Sequence, residues 1–234
     1  MRERVEGALH EAAQTLHEAA DTLRPRLRGV LHQIAFAVSL VTGAVVVVRA
    51  EGTRATAATA VYAVSVALLF GTSAAYHRGR WSPRAEVVMQ RLDHSMIFVL
   101  IAGTYTPFTL LLLEGGTRWT VFGIVWGGAV VGVLARNLLR RRSVWLFTGL
   151  YLALGWVGIA VLPALHRAGG PLVLGALVLG GVLYSVGAVV YARQRPDPSP
   201  RWFGYHEVFH AFTLAAFLAH YVAVSAATAR YSGA

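Results

Sequence analysis

No cysteine occurs in this chain. Disulfide bonds are therefore excluded, and so is any metal site that relies on thiolate sulfur. A metal held here has only imidazole and carboxylate ligands to choose from. Lysine is missing too, since all 21 basic residues are Arg. Charge of either sign is scarce: 14% of the 234 residues are charged, against roughly 25% in ordinary soluble domains. Residues 1–28 lack the long apolar core of a cleavable signal peptide.

Apolar surface takes the place of charge. Hydrophobic residues make up 56% of the chain, and the mean hydropathy is +0.55. Continuous apolar runs of about 20 residues recur, the length a helix needs to cross a hydrocarbon core. The runs do not alternate between polar and apolar positions, which excludes a barrel. These features predict an all-α integral membrane protein. The net charge of +10 does not indicate nucleic acid. Most of the Arg lie in short segments between apolar runs, where they set orientation and meet lipid headgroups.

The chain divides into two parts. Residues 1–28 are expected to be a cytoplasmic amphipathic segment. In its helix, 3–24, Val5, Leu9, Ala12, Leu16, Ala19 and Leu23 recur at spacings of four and three, as on an interfacial helix. His10 and His17 on that helix read as solvated, and Pro25 ends it. Residues 29–230 are expected to form one seven-helix transmembrane bundle. Its spans are placed at 30–49, 58–77, 91–113, 119–138, 144–165, 171–192 and 206–228. The longest connector, Arg193–Gly204, holds Pro196, Pro198 and Pro200 and is a stiff link without helix.

With seven spans, 16 of the 21 Arg fall on one side and 5 on the other. The positive-inside rule then places the N-terminus in the cytoplasm and the C-terminus outside, in the plasma (inner) membrane. This orientation brings four polar residues to one depth. Span two ends at His77, span three starts near Asp93, and span seven opens with His206 and His210. The His positions played no part in drawing the spans, so the agreement is independent.

His206 and His210 are four residues apart and share a helix face. With His77 they form three imidazoles that can leave a fourth position for water, the arrangement of a catalytic zinc site. Zinc suits nitrogen ligands without sulfur, and iron, cobalt, nickel and copper are alternatives. Asp93 is a candidate general base. Ser73, one turn before His77, can hydrogen-bond a neighbouring group or the water. Ionisable groups at membrane depth are functional candidates by default.

Each residue also has an ordinary reading. His77 can be an interfacial residue beside Arg78, and Asp93 can pair with Arg84 or Arg91 at a helix start. Ser73 can be a small packing residue bonded to its own backbone. His94 points about 100° away from Asp93 and reads as a neighbour, not a ligand. His220 reads as a satisfied packing residue, and His32 and His166 as interfacial. The string His206-Glu207-Val208-Phe209-His210 also matches a metalloprotease pattern with Glu207 as base. Glu207 equally suits the positive end of a helix.

Three motifs carry a resemblance: Ser73-Ala-Ala-Tyr-His77, Arg91-Leu-Asp-His94 continuing to Pro107, and Gly204-Tyr-His-Glu-Val-Phe-His210. In this order they resemble the hemolysin III family, which belongs with the progestin and adipoQ receptors and is more distantly similar to alkaline ceramidases. The resemblance covers the seven spans, about residues 28–230. It implies a zinc ion near the cytoplasmic side, held by His77, His206 and His210, with Asp93 beside the water and Ser73 as the motif's hydroxyl. Thr104, Tyr105 and Thr106 are expected to line a cavity, and Pro107 to kink its span.

The function expected is zinc-dependent hydrolysis of a lipid amide or ester bond, with a membrane lipid as substrate or ligand. The alternatives are a non-enzymatic receptor or regulator of lipid state with a structural zinc, and a cytolytic protein. Lysis has little support, because no span carries charge from end to end as a conducting path requires. Metal transport is weak for a similar reason: the 11 acidic residues lie almost wholly outside the spans.

Overall fold

A computed structural model describes residues 25–139 and 143–232. The amphipathic helix expected over 3–24 lies outside the described residues. Every named element among them is helical. Six stretches are long and apolar enough to cross a membrane, and the chain is a multi-pass membrane protein. In order, the helices are α1 Val30–Val48, α2 Thr53–Arg78, α3 Pro83–Leu112, α4 Gly115–Leu138, α5 Val144–Gly155, a 3-10 turn Val157–Val161, α6 Leu162–Arg193 and α7 Tyr205–Ser232.

Sequence chemistry explains the ends of these helices. Ser82 caps α3 by accepting from the Ala85 N–H at 3.4 Å, with Pro83 in the first turn and Glu86 behind it. Helix α3 therefore begins eight residues before the predicted 91, since hydropathy marks the apolar part of a helix and not its start. Ser143 caps α5 in the same way, accepting from Leu146 N–H. Gln194, with φ of 55°, stops α6, and the proline-rich connector follows. Neighbouring helices pack in sequence, and α7 reaches α1, α2 and α3 as well as α6. That contact closes the bundle around α3, its most buried member.

Six apolar stretches are distinguished where seven separate spans were expected. The predicted fifth and sixth, 144–165 and 171–192, fall in one stretch of 50 residues, Val144–Arg193. The segment between them is helical up to Gly169, and a kink at Gly170 separates it from the helix that follows. Only Gly170 leaves helical geometry, at φ 79° and ψ −179°, a conformation that suits glycine. Pro171 then restarts a helix with its fixed φ. The stretch is folded back on itself. Trp156 Nε1 donates to Ser185 Oγ at 3.0 Å across 29 residues, a distance that straight helix would extend to roughly 43 Å.

Helices α2 and α3 meet closely. A Cβ added at Gly103 would collide with the Ser65 side chain, and small residues are what permit such approach between membrane helices. Gly103→Ala is expected to destabilise the protein by about 1–3 kcal/mol, seen as a lower melting temperature in detergent. Gly127→Ala meets nothing within 4 Å and should melt as the parent does. Equal melting of the two variants would contradict the close α2–α3 contact.

Candidate metal centre

The last turn of α2 and the first turns of α7 meet at one end of the bundle. The start of α7 is fixed by two carboxylates. Glu207 Oε2 accepts the Gly204 N–H at 2.9 Å, reaching back to the cap from the third helical position as in a capping box. Asp197 Oδ1 accepts the Tyr205 N–H at 2.8 Å. The connector is anchored in turn to the chain before α1. Arg26 N–H donates to Arg201 O at 2.9 Å and Leu27 N–H to Trp202 O at 3.2 Å, and the Arg26 guanidinium lies 4.6 Å over the Trp202 ring. With its first turn held, α7 presents His206 and His210 on one face.

His77, His206 and His210 converge. One ligand atom of each lies within 4.8 Å of the other two, and all three rings are largely shielded from solvent. Two nitrogens bound to a tetrahedral zinc at about 2.05 Å sit roughly 3.3 Å apart. His77 Nε2 and His206 Nε2 are 3.1 Å apart. The His206 and His210 rings are tilted by 66° and not stacked, which lets their lone pairs aim at a common point. His210 Nδ1 is buried with no hydrogen-bond partner among the described residues. The donor set and spacing fit a divalent cation, and the triad is positioned to bind one.

The other expected site residues lie beside the triad. Asp93 Oδ2 is 3.8 Å from His77 Nε2, and its carboxylate also interacts with the Ser73 hydroxyl. Among the described residues Asp93 makes no ion pair with Arg84 or Arg91. Glu207 has a different place. Its Oε1 lies 3.9 Å from Arg28 Nε, its Oε2 caps α7, and it does not line the cavity next to the imidazoles. That leaves no support for the metalloprotease reading. Arg28 Nε also reaches His77 Nδ1 at 3.4 Å.

One residue was misjudged from sequence. His32, read as interfacial, is only 3% exposed. Its ring stacks on His210 at 3.6 Å and 14°, and its Nδ1 is 2.8 Å from Ser73 Oγ. His32 thus braces one ring of the triad and fixes the hydroxyl that faces Asp93. Its place inside the first apolar run was the available signal. His94 stays outside the triad, bonded to Gln90 O at 2.7 Å and Tyr191 Oη at 3.2 Å. His220 bonds Leu177 O at 3.1 Å, and His166 is exposed.

A cavity of about 140 Å³ opens from His206, His210 and Asp93 and runs between α3, α5, α6 and α7. Ile97, Leu100, Ile101, Leu152 and Phe209 make its walls apolar. Thr104 and Tyr105 line it as expected. Thr106 does not. Its hydroxyl donates to Ala102 O at 2.9 Å and accepts from Trp126 Nε1 at 3.1 Å, so it serves the α3–α4 contact.

Single His77→Ala, His206→Ala and His210→Ala variants are each expected to lose bound metal, measured by elemental analysis of purified protein. His32→Phe keeps the stacked ring and removes the bond to Ser73. It should retain metal but bind it about 10–100-fold more weakly in chelator competition. Wild-type affinity in that variant would remove His32 from the site's support.

Comparison with known proteins gives a consistent result. The profile of the family described as Haemolysin-III related matches residues 21–221. Hemolysin-3 of Bacillus cereus is 35% identical over 154 residues, which cover 66% of this chain and 67% of that protein. A Hemolysin-3 homolog of Bacillus subtilis (strain 168) is 34% identical over 154 residues, covering 66% and 69%. The Heptahelical transmembrane protein ADIPOR2 of Oryza sativa subsp. japonica is 31% identical over 160 residues, covering 61% and 69%. The chain belongs to the haemolysin III family and is similar to an adiponectin-receptor-like protein of plants.

Proposed function

We propose that this protein is a membrane zinc enzyme that hydrolyses an amide or ester bond of a lipid. The observation that carries this reading is a triad of converging imidazoles with a carboxylate beside it, from which a cavity opens at His206, His210 and Asp93 between apolar walls. His77, His206 and His210 are the residues that would hold the metal. Zinc bound there supplies Lewis acidity and lowers the pKa of a water toward about 7.

The chain's own groups handle the proton. Asp93 takes it from the water as oxygen attacks the acyl carbon. It delivers the proton to the leaving nitrogen or oxygen as the C–N or C–O bond breaks. Ser73, held by His32, orients the Asp93 carboxylate. The apolar cavity receives the acyl part of the lipid and keeps bulk water away from the bond.

This reading includes a topology. The stretch Val144–Arg193 crosses the membrane twice, turning at Gly170, which makes seven crossings. Its 50 residues amount to about 75 Å of helix, against roughly 30 Å of hydrocarbon. The Trp156–Ser185 bond is in keeping with a hairpin, and the rice relative is named as heptahelical. By the Arg distribution, the N-terminus and the metal site lie on the cytoplasmic side of the plasma membrane.

A second reading is a receptor whose zinc is only structural. It is favoured by the origin of the triad in α2 and α7, helices far apart in sequence that a metal would staple together. Purified zinc-loaded protein should release fatty acid from an N-acyl or O-acyl lipid. Asp93→Asn is expected to lower this turnover at least about a hundredfold while retaining its zinc. Turnover that survives in a His206→Ala, His210→Ala double variant would exclude the enzyme reading. A structural zinc instead predicts no turnover and a large fall in melting temperature on chelation.

A further inference from the structure

The cavity at the metal centre is bounded at its far end by residues that it shares with a neighbour. This second, smaller cavity of about 50 Å³ lies past them, and the two share Thr104, Tyr105, Gly155, Trp156, Gly181 and His220. These six residues form a collar between the chambers. Its bulky members are each pinned by a hydrogen bond. Tyr105 Oη donates to Gly155 O at 2.6 Å and accepts the Gly158 N–H at 2.7 Å. Trp156 Nε1 donates to Ser185 Oγ at 3.0 Å, and His220 Nε2 bonds Leu177 O at 3.1 Å. The side chains are therefore fixed and do not swing aside freely. Past the collar the lining includes Phe108, Ile159, Leu162, Leu165 and Leu177 and is apolar again.

We propose that the collar of Tyr105, Trp156 and His220 measures the hydrocarbon chain that the site accepts, so that the ligand is a single-chain amphiphile with its polar group at the imidazoles. The inference rests on the lipid reading above and deepens it. Residues that can ligate a cation lie at one end of the cavity, and Ile97, Leu100, Ile101, Leu152 and Phe209 give its walls an apolar track toward the collar. From His210 to His220 the ten residues of α7 rise about 15 Å, roughly the length of a saturated twelve-carbon chain. Opening the collar would join the second chamber. Thr104 to Phe108 on α3 adds about 6 Å, or roughly four more carbons.

The test uses the full-length, zinc-loaded protein in detergent. Saturated fatty acids of eight to eighteen carbons compete for binding, read by native mass spectrometry. Wild type should favour about twelve carbons. Trp156→Ala removes the ring facing Gly181, whose added Cβ would lie 3.5 Å from it. This variant should favour about sixteen carbons, with the sixteen-to-twelve preference changed roughly tenfold or more. Gly181→Leu fills the same gap and should favour ten carbons or fewer. It decides the question if Trp156→Ala does not fold, with zinc stoichiometry as the check on folding. Folded variants with the wild-type ranking, or a wild type that binds all lengths alike, would overturn the collar's role and leave the lipid reading standing. A wild type that binds none of the acids would overturn both.

Discussion

Three imidazole nitrogens facing one another inside an apolar bundle are the constraint on which the rest of this structure depends. Two of them can share a proton, and His77 Nε2 and His206 Nε2 lie 3.1 Å apart. A third cannot join that bond, because its lone pair meets a second lone pair in a medium of low dielectric. A cation at the centre removes the conflict for all three at once. The surrounding structure serves to hold the rings in this otherwise unfavourable arrangement. Glu207 and Asp197 fix the first turn of α7, the connector is tied to Arg26 and Leu27, and α7 packs against α1, α2 and α3. Loosening any of these would let the rings turn apart.

Charge around the triad follows from the same constraint. Arg28 stands between His77 and Glu207, so the site gathers a guanidinium as well as the ligands of a cation. Two carboxylates offset this charge from different sides. Glu207 faces Arg28 and the cap of α7, where the helix dipole also favours an anion. Asp93 faces the cavity, with Ser73 and His77. A divalent ion and Arg28 together would bring three positive charges, of which the two carboxylates neutralise two. The remaining charge lies on the cavity side, where it favours a polar or anionic group at the head of an otherwise apolar ligand.

Much of this was legible in the sequence, for physical reasons. Apolar run length reports the lipid-facing requirement directly, so α1, α2, α4 and α7 fall close to their predicted ranges. The triad was legible because one pair sits at helical spacing and because hydropathy put His77 at the same depth. His32 was not. Its role comes from stacking on a ring 178 positions away in the chain, and long-range stacking leaves no periodic trace. Thr106 shows the converse. A hydroxyl in a polar stretch of α3 looked like cavity lining, but side chains at successive helix positions point about 100° apart, and its direction takes it to Trp126 on α4.

The unforeseen collar has its origin in a break of the helix. Hydropathy treats 144–165 as a uniform apolar run, yet α5 ends at Gly155 and a 3-10 turn follows. That break is where Tyr105 Oη finds partners, because a helix end leaves carbonyl and amide groups without intrahelical bonds. Gly155 O and the Gly158 N–H are those groups, and both go to Tyr105. The same break turns Trp156 toward Ser185. A continuous α-helix would satisfy its own backbone and leave Tyr105 without these bonds. The irregular geometry is tolerated at membrane depth because Tyr105 satisfies these backbone groups and the turn lines a cavity. The interruption of the helix and the boundary between the two cavities are thus one structural feature, made of three side chains, Tyr105, Trp156 and Ser185, and two backbone groups.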